Sequence, residues 1–212
     1  MNPRTVREEI AGPAGRIECA IDRPENQPRG VAVVCHPHPQ FGGTLDNKVV
    51  QTLARAFVQL GWASVRFNFR GIGSSEGTWD DGQGEVDDAL AVVGATRGRP
   101  EFAALPWALA GFSFGGYVAA TAAARLPEAD KPVRLVLVGP STEKQHVPVV
   151  AANTLVIHGE SDDVVPLAAT LDWARPQTLP IIVLPGVGHF FHGQIALLKS
   201  LLVRELHELA AV

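Results

Sequence analysis

The chain has 212 residues, of which 46% are hydrophobic and 19% charged, with a formal net charge of −4. That balance is globular, with enough apolar mass for a large core, and the length suggests one domain over residues 1–212. No basic block implies nucleic acid or an anionic membrane as a partner, and no apolar run approaches the roughly 18 residues of a membrane span.

The start, MNPRTVREEIAGPAG, lacks the apolar core of a signal segment, so a cytoplasmic location is expected. TVREEI and RIECAID, joined by AGPAG, read as an antiparallel hairpin. GVAVVCH (30–36) is an apolar run of strand length. Leu45, Val49, Leu53, Phe57 and Leu60 then recur at helical spacing up to Gly61, and ASVRFNF (63–69) is the next strand. A helix over about 84–97 carries Val86, Leu90 and Val93 on one face. WALAGF (107–112) is a strand, followed by a small-residue helix from about 114 to 126 that Pro127 stops. VRLVLVG (133–139), NTLVIHG (153–159) and PIIVLPG (180–186) are three more strands. A closing helix aligns Ile195, Leu198, Leu202, Leu206 and Leu209. Cys19 and Cys35 fall in strand-like runs without metal-type spacing and are expected to be buried reduced thiols. Uniformly apolar strands need cover on both faces, so the alternation predicts a mostly parallel sheet between two helix layers. Chemistry in such sheets belongs beyond the carboxyl ends of the strands.

One such end carries Gly111-Phe112-Ser113-Phe114-Gly115, the G-x-S-x-G pattern of a nucleophile elbow, with a strand entering and a helix leaving. The bland alternative is a tight turn with Ser113 as a helix N-cap. A nucleophilic serine needs a base, and the base needs an orienting carboxylate, in the chain order Ser, Asp or Glu, His. HGESDDVVP places Asp162 and Asp163 beyond strand 153–159, and LPGVGHFFHG places His189 beyond the next strand. One oxyanion donor would be the Phe114 N–H, and a second would come from the loop after strand 30–36. There Pro37 and Pro39 have no N–H, which leaves His38, Gln40 and Phe41. His36 and His38 have the H-x-H spacing of metal ligands, but prolines flank them and no third ligand is near in sequence. RGIGSSEG (70–77) lacks the order and the lysine of a phosphate-binding loop, and His146, His158 and His207 read as structural or solvated.

With VVCHPHPQFGGTLDNKVV, VRFNFRGIGSSEG, LAGFSFGGYVA, HGESDDVVP and GHFFHG together, nearly the whole chain resembles the α/β-hydrolases. It is most similar to a small bacterial group with a CHPHPxFGGTxDNKVV signature. The resemblance implies an α/β-hydrolase fold and a triad of Ser113, Asp162 rather than Asp163, and His189 rather than His192. It points to His38 as the second oxyanion donor beside Phe114, and it makes RGIGSSEG part of the site's floor.

The expected function is hydrolysis of carboxylic esters through an acyl-enzyme, without a cofactor or a metal. Acyl transfer or amide and peptide hydrolysis on the same triad is one alternative, and a catalytically silent binding protein on the same fold is another. The partner is a small acyl ester, and a homodimer is among the assemblies left open. Only the 13 residues from Pro140 to Ala152 separate strands 133–139 and 153–159, too few for an independent helical cap. An open cleft is therefore expected, bordered by loops 37–43 and 70–82 and by Phe190.

Overall fold

The computed structural model describes residues 5–210. An eight-stranded sheet runs in the order β1-β2-β4-β3-β5-β6-β7-β8. The opening hairpin, β1 (Val6–Gly12) and β2 (Gly15–Asp22), is antiparallel and joins antiparallel to β4 (Ala63–Phe67). From β4 onward every pairing is parallel, through β3 (Val31–Cys35), β5 (Trp107–Phe112), β6 (Arg134–Val138), β7 (Leu155–Gly159) and β8 (Ile182–Leu184).

Every residue of β3, β4, β5 and β7 is buried, as cover on both faces of the sheet requires. Side chains alternate across the sheet. Val31, Val33 and Leu109 pack on one face against α2 (Gln83–Arg97) and α3 (Phe114–Arg125). Ala32, Val34 and Phe112 pack on the other against α1 (Lys48–Gln59) and α5 (Ile195–Glu205). Cys19 and Cys35 are free and buried, and burial pushes the Cys19 thiol up to about 12 and Cys35 higher still.

Several expected boundaries shift. Leu45 precedes α1, whose N-cap is Asn47: its Oδ1 accepts from the N–H groups of Val49 and Val50 at 2.9 and 3.4 Å. The last strand, at the sheet's edge and paired with β7, is only three residues long. A helix not anticipated from the sequence, α4 (Leu167–Ala174), buries only Thr170 and Ala174, so it carries no apolar stripe to reveal it. The connection from β6 to β7 contains turns and no helix, as its length and prolines demand. Among the described residues no helix is long and apolar enough to cross a membrane.

Candidate active site

Ser113 sits between β5 and α3 with φ 56° and ψ −122°, backbone values that a side chain rarely adopts. Its neighbours impose them. The Ser113 N–H donates to the Val138 carbonyl at 2.9 Å, and its own carbonyl accepts from Gly116 at 2.8 Å and Ser141 at 3.2 Å. The flanking glycines make this possible. A Cβ on Gly111 would lie 2.0 Å from the Gly115 carbonyl oxygen, and one on Gly115 would lie 2.4 Å from the carbonyl oxygens of Cys35 and His36. The Ser113 side chain makes no cap bond to α3, which removes the N-cap alternative and leaves the hydroxyl for another partner.

That partner is His189. Its Nε2 lies 3.0 Å from Ser113 Oγ, and its Nδ1 lies 2.7 Å from Asp162 Oδ2. Since Asp162 can only accept, Nδ1 carries the proton and Nε2 is free to accept the serine hydroxyl's. Phe112 and Phe190 hold the imidazole, with ring centroids 4.9 and 5.0 Å away. The other oxygen of Asp162 accepts from Val164 N–H at 2.9 Å and Val165 N–H at 2.7 Å. Burial pushes this carboxyl up. The bonds from His189, Val165 and Val164 outweigh it, so Asp162 lies below the ordinary aspartate value and stays ionised. Asp163 and His192 are exposed and take no part in this chain of bonds.

The 36–43 loop is settled by its own hydrogen bonds. The N–H groups of Phe41 and Gly43 donate to the His38 carbonyl, that of Gly42 to the Pro39 carbonyl, and that of Gln40 to His38 Nδ1. His38 is thus the residue of 38–43 whose N–H stays unengaged among the described residues. The first N–H of α3, on Phe114, is likewise of the kind a helix start leaves open. The His38 ring packs between Phe41, Trp79 and Phe114 at 4.6–5.0 Å between centroids, which anchors the loop. Burial, and then the nearby Lys144 cation, lower its pKa.

His36 offers no lone pair to a metal. Its Nε2 accepts from Phe69 N–H at 3.0 Å, and Nδ1–H donates to the Pro37 carbonyl at 2.6 Å. Among the described residues no three His, Cys, Asp or Glu side chains come together as a metal site.

The cleft above Ser113 has a volume of about 340 Å³. Loop 37–43 and Phe190 border it as expected, but the 70–82 loop does not. Trp79 backs His38 and Phe114 instead, and RGIGSSEG is a brace rather than a floor. Arg70 grips buried Asp88 through two bonds of 3.0 and 2.8 Å, and Glu76 pairs with Arg16 at 2.8 Å. In its place stand Asn47, Lys144 and Val164, which sequence reasoning missed because they lie in irregular segments without periodicity. His158 is structural, one of the two readings left open for it, and buried. It stands four residues before Asp162 at the end of β7; its Nε2–H donates to the Val165 carbonyl at 2.9 Å and lies 3.4 Å from Asp162 Oδ2.

Residues 26–151 match the model of the family described as "Serine aminopeptidase, S33". A lidless α/β serine hydrolase from Xanthomonas campestris is 35% identical, with 98% of this chain and 96% of that chain aligned at a TM-score of 0.88. An α/β serine hydrolase homologue from Coxiella burnetii is 38% identical over 97% and 98% of the two chains, at a TM-score of 0.87. The chain belongs to this family of α/β serine hydrolases. Its fold is the α/β-hydrolase fold without a lid. An uncharacterized protein of Rickettsia prowazekii is 39% identical over 118 residues, a match that spans 55% of this chain and 49%, about half, of that relative.

Proposed function

We propose that this α/β serine hydrolase cleaves carboxylic esters, with Ser113 as nucleophile, His189 as general base and acid, and Asp162 as the orienting carboxylate. The observation that carries the reading is the continuous run from Ser113 Oγ to His189 Nε2 at 3.0 Å and from His189 Nδ1 to Asp162 at 2.7 Å, on a strained elbow. Ser113 Oγ attacks the acyl carbon while its proton passes to His189 Nε2. Asp162 stabilises the imidazolium that forms. The N–H groups of Phe114 and His38 receive the oxyanion. His189 then returns the proton to the leaving alkoxide, and in a second round it draws a proton from water that frees the acid.

The family description names an aminopeptidase, but the cleft favours esters. Recognition of a free amino terminus calls for a carboxylate near the nucleophile. Among the described residues no Asp or Glu lines the cleft, and its charged group is the Lys144 cation. An open cleft buries little of a long chain, at about 0.8 kcal/mol per methylene, so short acyl groups should be favoured. The test is p-nitrophenyl ester kinetics from acetate to palmitate, with fluorophosphonate labelling and a Ser113→Ala control. Turnover of short esters and labelling confined to the Ser113 chain support the reading. Full activity in folded Ser113→Ala, or cleavage of aminoacyl amides alone, overturns it.

A further inference from the structure

The lining of the cleft is one-sided in charge. Lys144 is in it, no carboxylate faces it, and among the described residues Lys144 has no ion-pair partner. This lysine is on a built turn rather than a loose loop. Ser141 N–H donates to the Ser113 carbonyl at 3.2 Å, tying the turn to the elbow. Gln145 N–H donates to the Ser141 carbonyl at 3.2 Å, and the Ser141 hydroxyl donates to Gln145 Oε1 at 2.7 Å, closing the turn around residue 144. Thr142 and Thr170 bond through their hydroxyls at 2.9 Å, which fastens the same turn to α4.

Asn47 lines the same cleft. Its Oδ1 is committed to capping α1, so Nδ2 is the polar group it has to offer, and it is a donor. The lining also carries the apolar rings of Phe41 and Phe190, both exposed. A cation and an amide donor lining a partly apolar space, with no carboxylate among the described lining residues, match a carboxylate on a short carbon chain.

We infer that the cleft selects esters that carry a second, anionic group, a carboxylate, which Lys144 holds with the help of the Asn47 amide. The inference rests on the ester-hydrolase reading for its catalytic meaning, but the anion site itself stands on Lys144 and Asn47. The carboxylate can ride on the acyl part or on the leaving group, and the two are separable.

The experiment compares kcat/KM for p-nitrophenyl hemiglutarate with that for p-nitrophenyl valerate, and for 4-carboxyphenyl butyrate with that for phenyl butyrate. Wild type should favour the anionic member of one pair. In Lys144→Gln that ratio should fall about tenfold, the size of one charge-assisted hydrogen bond in a partly open site. In Lys144→Glu the preference should invert. The pair that responds tells which part of the substrate carries the charge. A ratio unmoved by both variants in both pairs overturns the inference, even while neutral esters are turned over. A parallel titration of butyrate and its neutral isostere butyramide into wild type and Lys144→Gln needs no turnover. Tighter binding of butyrate than of butyramide that is lost in Lys144→Gln keeps the anion site even if no ester is cleaved; a butyrate affinity equal to that of butyramide in both proteins sinks it.

Discussion

His36 and His189 both stand beyond carboxyl ends of strands, at 0% and 2% exposure, and both are hydrogen-bonded through both ring nitrogens. They differ in what holds them. His36 is clamped by two backbone groups, the Phe69 N–H and the Pro37 carbonyl. A second proton on its Nε2 would face another N–H in a dry site, and burial drives its pKa down to about 3. His189 is held by a carboxylate on one side and a hydroxyl on the other. The carboxylate balances an incoming proton, and the hydroxyl can supply one. Burial and full hydrogen bonding therefore do not make a histidine reactive; partners able to exchange charge do.

Removing each histidine separates the two roles most sharply. His189→Ala, like Ser113→Ala, should lower kcat by about 10³-fold or more. His36→Ala should instead unfold more readily, because the buried Phe69 N–H loses its acceptor, a cost of about 1–3 kcal/mol before any cavity is counted. If His36→Ala keeps wild-type stability and loses activity as His189→Ala does, the contrast collapses.

The carboxylate partner comes next. Asp162→Asn should cost about 10²- to 10⁴-fold in kcat, since an amide cannot hold the imidazole in the required tautomer. The exposed neighbour Asp163→Asn should stay within a few-fold. Equal losses at the two positions would place the orienting role outside the Asp162–His189 bond.

A pH experiment sharpens the other half. Unfolded, His36 takes a proton near its ordinary value of about 6.5; folded, it resists until about pH 3. Between those values the unfolded chain binds a proton that the folded chain does not. The contribution of His36 is thus whole above about pH 6.5 and is lost as pH falls toward 3, up to about 5 kcal/mol across the window. His36→Gln has no such proton to take. Urea midpoints at pH 7 and pH 5 should draw closer together in that variant than in wild type, and an unchanged gap would assign the acid sensitivity elsewhere.

The smallest effect concerns His192, which is exposed and packs on Phe190 with ring centroids 5.7 Å apart. His192→Ala should keep kcat/KM for a neutral ester within about twofold, as for most surface substitutions. A loss as large as that of His189→Ala would move the base to the wrong histidine.

Local pattern alone determined much of this chain. Strand runs, helix stripes and turn glycines report on burial and backbone conformation within a few residues, so the parallel sheet, the elbow and the absence of a cap were legible. The G-x-S-x-G spacing is of this kind, because Gly111 and Gly115 must lack a Cβ for the turn to close. What only the tertiary structure decided was which groups face one another. The resemblance had singled out Asp162 and His38 already; the structure adds the hydrogen bonds that join Asp162 to His189 and engage the N–H groups of Gln40 and Phe41, whose partners sequence order does not name. The 70–82 loop moved from the cleft to a brace because Arg70 meets Asp88 and Glu76 meets Arg16, pairings far apart in the chain. Lys144 entered the cleft because Ser141 binds the Ser113 carbonyl, a contact made by folding between segments with no periodicity to announce it. Periodicity encodes which side of an element is buried; it does not encode which side chain lies opposite, and a site is made of opposites.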